Sequence, residues 1–332
     1  MIDTHSQPSP VETFVKSWLS DEVLLGIAAV CILALTTAAT VRRPHVNIEL
    51  TAAAKSIALT PAERLDASTS VIVKSPDDLL KASEFTNLSL GGNCGVQASR
   101  GLRIGGPVTL TALRMARNGL LQVEALENQL TIVFNGDGSA DLDAGESARL
   151  TGLDGSPVSC GTPGSAAEVR LSVSGTAVPA NLTIPISTTV NVEILPTTRV
   201  SGIGFSLSDE SNASVPSFRS AILSGSIQLL DTHEKFSLES GEPLTLNGVS
   251  AVLSPVTLKG EELHVLLQGR VKSVKIGPSG FERDLTPTWL TWALAKYKAE
   301  GVWALAMGAM AALWKLRTWA RKPQKSRIGA TR

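Results

Sequence analysis

Nineteen consecutive residues, 23–41 (VLLGIAAVCILALTTAATV), carry no charge. A helix crossing the hydrocarbon core of a bilayer needs roughly 20 apolar residues at about 1.5 Å rise each, so this run has the length of one crossing. Ser20 is placed to cap it, and Asp21 and Glu22 stand in its first turn, where the helix dipole favours negative charge. Arg42, Arg43 and Pro44 end it. The competing reading is a cleaved signal peptide, with Thr37 and Ala39 in the small-residue positions. It fits less well, because the preceding region holds Asp3, Glu12, Asp21 and Glu22 against Lys16 alone, whereas a signal peptide opens with positive charge.

The aromatic residues follow the same logic. All six tryptophans and the single tyrosine lie near the chain ends: Trp18, Trp289, Trp292, Tyr297, Trp303, Trp314 and Trp319. Amphipathic rings concentrate at membrane–water boundaries, so these seven residues are candidate interface anchors. Residues 301–314 (GVWALAMGAMAALW) form a second charge-free run, shorter than a full span, which Lys298 and Lys315 extend by snorkelling. Within it Ala304, Gly308 and Ala312 recur at four-residue spacing, the pattern that lets two membrane helices approach closely. That face is a candidate site for self-association or for packing on another membrane helix.

Charge sets the expected orientation. From Lys315 onward the tail carries Lys315, Arg317, Arg321, Lys322, Lys325, Arg327 and Arg332 and no acid. Arg42 and Arg43 pull the opposite way, but long loops translocate largely regardless of their charge. The expectation is a bacterial inner-membrane protein with two passes, both termini cytoplasmic and the centre periplasmic. Residues 44–286 contain 18 Lys+Arg and 25 Asp+Glu, a net of −7, balanced mainly by the basic tail. Such a tail beside a membrane contacts anionic lipid, and no nucleic-acid partner is expected. The expected order is a cytoplasmic segment 1–21, a first span 22–43, an exported domain 44–286, a juxtamembrane amphipathic helix 287–300, a second span 301–318 and a tail 319–332.

The central region reads as mainly β, a sandwich, jelly roll or barrel. Apolar and polar residues alternate at 46–50, 71–74, 130–134, 169–173, 182–186, 190–194, 203–207 and 222–230, and in six shorter runs between 236 and 276. Gly, Pro, Asn or Asp punctuates most of them. Short helices are expected in the first half. Thr60-Pro61-Ala62-Glu63 and Ser75-Pro76-Asp77-Asp78 resemble capping boxes, and 110–118 has helical spacing ended by Gly119. The Gly/Ser/Pro-rich stretch 152–167 is a possible seam between two domains. Cys94 and Cys160 are the only cysteines outside the first apolar run, natural disulfide partners in an oxidising compartment.

Candidate chemistry is sparse. Asn135, Asp137, Ser139, Asp141, Asp143 and Glu146 carry oxygens at positions 1, 3, 5, 7, 9 and 12 of a twelve-residue segment, the spacing of a calcium loop. Ala140 stands where that loop needs glycine, and an acidic hairpin turn explains the same residues. Apart from calcium, no cofactor is expected. His233, grouped with Asp231 and Glu234, and His264 are the available bases, with no nucleophile-elbow serine. Arg100, Arg103, Arg114 and Arg117 form a basic cluster that either binds an anion or pairs with Glu124, Glu127 and the acidic segment.

With no Trp or Tyr, the central region offers only Phe85, Phe134, Phe205, Phe218, Phe236 and Phe281 as rings on which sugars and single-stranded nucleic acids could stack, so recognition by stacking is not expected. The leading expectation is therefore a non-enzymatic scaffold or adaptor of an envelope assembly, with membrane lipid and envelope proteins as partners. One alternative is a ligand-sensing or accessory subunit of a transporter or channel, taking calcium or an anion. The other is an envelope hydrolase centred on His233.

Overall fold

A computed structural model describes residues 21–73, 79–90, 101–153, 155–156, 167–174, 178–186, 191–207, 219–278 and 280–320. The chain divides into two compact units, Pro44–Thr286 and a second made of the segments on either side of it. The first is mainly β, with every strand pairing antiparallel among the described residues.

Strict alternation builds its centre. Val46–Ala54 buries every second residue and pairs on one side with Ile222–Leu229 and on the other with Glu262–Val271. Successive side chains of a strand point to opposite faces, so Val46, Ile48, Leu50, Ala52 and Ala54 all enter the core. A fifteen-stranded sheet is continuous from Arg149–Gly152 at one edge to Glu234–Leu238 at the other among the described residues. A five-stranded sheet runs in the order Leu65–Val73, Val108–Met115, Gly138–Ala144, Ala167–Val173, Asn87–Leu90. The buried side chains of both sheets merge in one hydrophobic cluster, as in a sandwich. Strands from both sides of 152–167 enter both sheets, and the unit is not divided there.

The expected short helices are corrected. Thr60 and Pro61 end a strand, Ser56–Pro61, which pairs with Thr198–Gly204. Residues 108–115 are a strand whose bulge accounts for the misleading spacing. Asp141 sits opposite Ala112 and Leu142 opposite Leu110, which leaves Thr111 as the extra residue. The bulge places Leu110 and Leu113 three apart on the buried side, mimicking one face of a helix. The expected helix at 75–78 lies outside the described residues.

The second unit holds two helices, Asp21–Thr40 and Trp289–Ala320. Among the described residues no helix is long and apolar enough to cross a membrane, so the transmembrane reading of these segments rests on the sequence. The juxtamembrane helix runs on into the second apolar run as one uninterrupted helix, Trp289–Ala320. Backbone hydrogen bonds pin the end of the first helix to the start of the second. The Arg43 N–H donates to the Pro287 carbonyl at 3.0 Å, and the Trp289 N–H donates to the Val41 carbonyl at 3.2 Å.

Candidate functional site

Where the two helices are pinned, cations and rings stack. The Arg43 guanidinium lies 4.5 Å from the Trp292 ring centroid and 5.5 Å from that of Trp289. The Lys296 ammonium lies 4.8 Å from Trp292 and 5.7 Å from Tyr297. Trp289 and Trp292 meet edge to face at 5.7 Å, the arrangement ring quadrupoles prefer. Three of the seven expected anchors are thereby gathered with two cations, and Trp314 stands exposed further along the helix. Trp18 and the side chains of Trp303, Trp319 and Ala312 lie outside the described residues, as do Cys94 and Cys160 with their expected disulfide. Ala304 and Gly308 are exposed, and a Cβ at Gly308 would meet nothing within 4 Å.

The six expected calcium ligands are not brought together. Asn135 ends the strand Gln129–Asn135 in the large sheet, and the chain crosses to the small sheet through Gly136 at φ 113°. Ser139, Asp141 and Asp143 then lie along the strand Gly138–Ala144, and Glu146 follows it. Ala140 is a buried strand residue, not the tight turn a calcium loop requires. Among the described residues there is no group of three or more His, Cys, Asp or Glu side chains able to hold a metal ion. The calcium expectation is not carried forward.

Asp141 has a different use. It is 4 % exposed on the outer side of the small sheet, where Arg170 Nε–H donates to Oδ1 at 2.8 Å and Arg114 donates to Oδ2. Burial pushes its carboxyl up, but hydrogen bonds from Arg170 and Arg114, with the charges of both, outweigh this and hold it below its ordinary value. The same pair raises Arg170 above its ordinary value, chiefly through the hydrogen bond to Asp141. Arg114 also approaches Asp66, which Arg64 approaches in turn. The sequence grouped Arg114 with Arg100, Arg103 and Arg117 and matched them to Glu124, Glu127 and the acidic segment. In the structure Arg114 does pair with the acidic segment, through Asp141, and also approaches Asp66, while Arg103 lies in the other sheet and Arg100 is outside the described residues.

Arg64, Arg114 and Arg117 line a groove of about 460 Å³ at one end of the small sheet. Nothing local in the sequence ties Arg64 to it. The tie is the pairing of Leu65–Val73 with Val108–Met115, which sets Asp66 opposite Arg114.

His233 and His264 belong to different elements of the β domain. His233 occupies a hairpin turn at φ 60°, and Asp231 accepts from the backbone N–H and side-chain amide of Asn47, each at 3.1 Å. His264 lies 3.7 Å from Glu262 on an exposed strand face. Among the described residues no serine or cysteine bonds to either ring. No protein-family model, curated protein or solved structure matches the chain.

Proposed function

We propose that this chain is a two-pass membrane-anchored envelope protein whose β domain serves as a non-enzymatic scaffold for a membrane protein assembly. The observation that carries the reading is the surface of the helix Asp21–Thr40. Val30, Ile32, Leu33 and Leu35 are 66, 62, 68 and 57 % exposed, and at about 100° per residue they point around most of the helix rather than to one face. A surface that is apolar all round is at home in lipid. The polar groups agree: Thr36 and Thr37 donate their hydroxyls to the Leu33 carbonyl at 2.9 and 2.6 Å, and Thr40 to Thr36 at 2.9 Å. Internal satisfaction of this kind is what a solvent without hydrogen bonds demands.

The paired helix ends support the same reading. Arg43, Trp289, Trp292, Lys296 and Tyr297 form a band of cations and amphipathic rings where both helices would leave the hydrocarbon. The scaffold role is supported by the breadth of the antiparallel sheet.

Alkaline carbonate extraction of membranes, followed by protease treatment of spheroplasts, tests the proposal. The full chain is expected to stay in the pellet, with the 44–286 region digested by external protease. Release into the supernatant would refute the anchor. Protection of the domain in spheroplasts would refute the periplasmic placement.

A further inference from the structure

The small sheet carries an ordered row of polar side chains across its outer face. Asp66 lies opposite Arg114, Arg114 opposite Ser139, and Ser139 opposite Ser172. Residues directly opposite in an antiparallel pair point to the same side, so these four stand in line, and all but Asp66 line the groove. Arg117, next to the turn residue Asn118 at φ 63°, lines the groove as well.

Charge accounting leaves this groove positive. Asp141 is taken up by Arg114 and Arg170. Asp66 is shared at 3.5 Å by Arg64 and at 3.4 Å by Arg114. Arg117 forms no ion pair with a carboxylate among the described residues. The groove is lined by three arginines and one acid, Asp137. Two of the three arginines are already matched by Asp66 and Asp141, so its uncommitted positive charge is that of Arg117, within a domain whose net charge is −7 (18 basic against 25 acidic residues). Guanidinium forks and serine hydroxyls are donors suited to an oxyanion, and the volume falls within the range of small-ligand sites.

We infer that this groove binds a small phosphoryl oxyanion, with Arg117 as its principal charge partner, Arg64 at its rim, and the Ser139 and Ser172 hydroxyls as orienting donors. The lining supplies arginine guanidinium and serine hydroxyl donors from three adjacent strands and the turn that follows one of them. The inference is independent of the membrane anchor, because every residue it uses belongs to the β domain.

The test is calorimetric titration of the purified full-length chain, in neutral detergent, with sodium pyrophosphate at low and high salt. One saturable site is expected, weakened by salt. Arg117→Ser should weaken it at least tenfold, and Arg64→Ser severalfold. Arg199→Ser, which removes an exposed arginine paired with Glu63 outside the groove, should leave it unchanged. Arg64 and Arg117 are exposed, so circular dichroism of each variant should match the parent. Absence of saturable heat to millimolar probe, or equal affinity in Arg117→Ser, overturns the site. Adding phosphatidylglycerol to the micelles identifies the source. Competition with pyrophosphate assigns the oxyanion to a lipid headgroup, and its absence assigns it to a soluble phosphate compound.

Discussion

Arg170 and Asp141 occupy directly opposed positions on neighbouring strands, and the Arg170 Nε–H reaches the Asp141 carboxylate at 2.8 Å. Arg114 binds the other oxygen from the strand on the opposite side. A carboxylate that sequence spacing offers to a metal is thus the tie between three strands of the small sheet. Asp141→Ala removes the tie and leaves two arginines without their shared partner. Both arginines reach solvent, which moderates the loss to roughly 2–3 kcal/mol. Urea denaturation should show a lowered midpoint with an unchanged slope.

Acid should act through the same group. Because the folded state holds the Asp141 carboxyl below its ordinary value of 3.8, its contribution is fully present above that pH. The contribution is lost as pH falls through the folded value. Wild type is therefore expected to lose stability more steeply than Asp141→Ala below about pH 4, so that the gap between them narrows. A gap that stays constant from pH 7 to pH 3 would contradict the assignment.

Gly269 lies against Ala251 on the adjacent strand, and a Cβ there would collide with the Ala251 Cα and Cβ. The obstruction is backbone as well as side chain, which limits relaxation, so Gly269→Ala should destabilise by roughly 1–3 kcal/mol through overpacking. Gly204 provides the contrast: an added methyl there would have nothing within 4 Å, and Gly204→Ala should be near neutral. Thermal melts of both variants check the pair.

Gly308 separates folding from assembly. A Cβ there meets nothing within 4 Å among the described residues, so Gly308→Leu should leave the thermal midpoint of the β domain unchanged. If the Ala304–Gly308 face packs against another helix, the same change should dissolve the complex, since small residues are what permit close approach. Chemical crosslinking in membranes reads the outcome, and intact complexes would remove this face from the scaffold proposal.

The later part of the domain and its first strand were legible because they alternate without interruption. Glu262–Val271 and Val46–Ala54 follow the period of two for their full length. The earlier part hid its strands behind local signals that tertiary pairing overrode. Thr60-Pro61 carries a helix-start pattern, yet the chain runs extended there, paired with Thr198–Gly204. The bulge at Thr111 lent 108–115 a helical spacing. At the candidate site, Arg114 and Arg117 were visible as neighbours. Arg64 was not, because register between distant strands brings it in. The calcium spacing misled because the middle of the twelve-residue segment is the extended strand Gly138–Ala144, which, unlike a loop, does not turn back toward one point.

The hydrogen bonds between Arg43 and Pro287 and between Trp289 and Val41 join the two points at which the backbone departs for the β domain and comes back from it. In connectivity, the whole of 44–286 is then an insert in the turn of a helical hairpin. Such an insert is a replaceable module. Residues 43 and 287 lie close enough for a few glycines to rejoin them, leaving a miniature two-helix protein, and another domain with adjacent termini fits the same socket. A load placed on the domain would also reach both helices at one shared attachment, drawing on them together instead of peeling them away in turn.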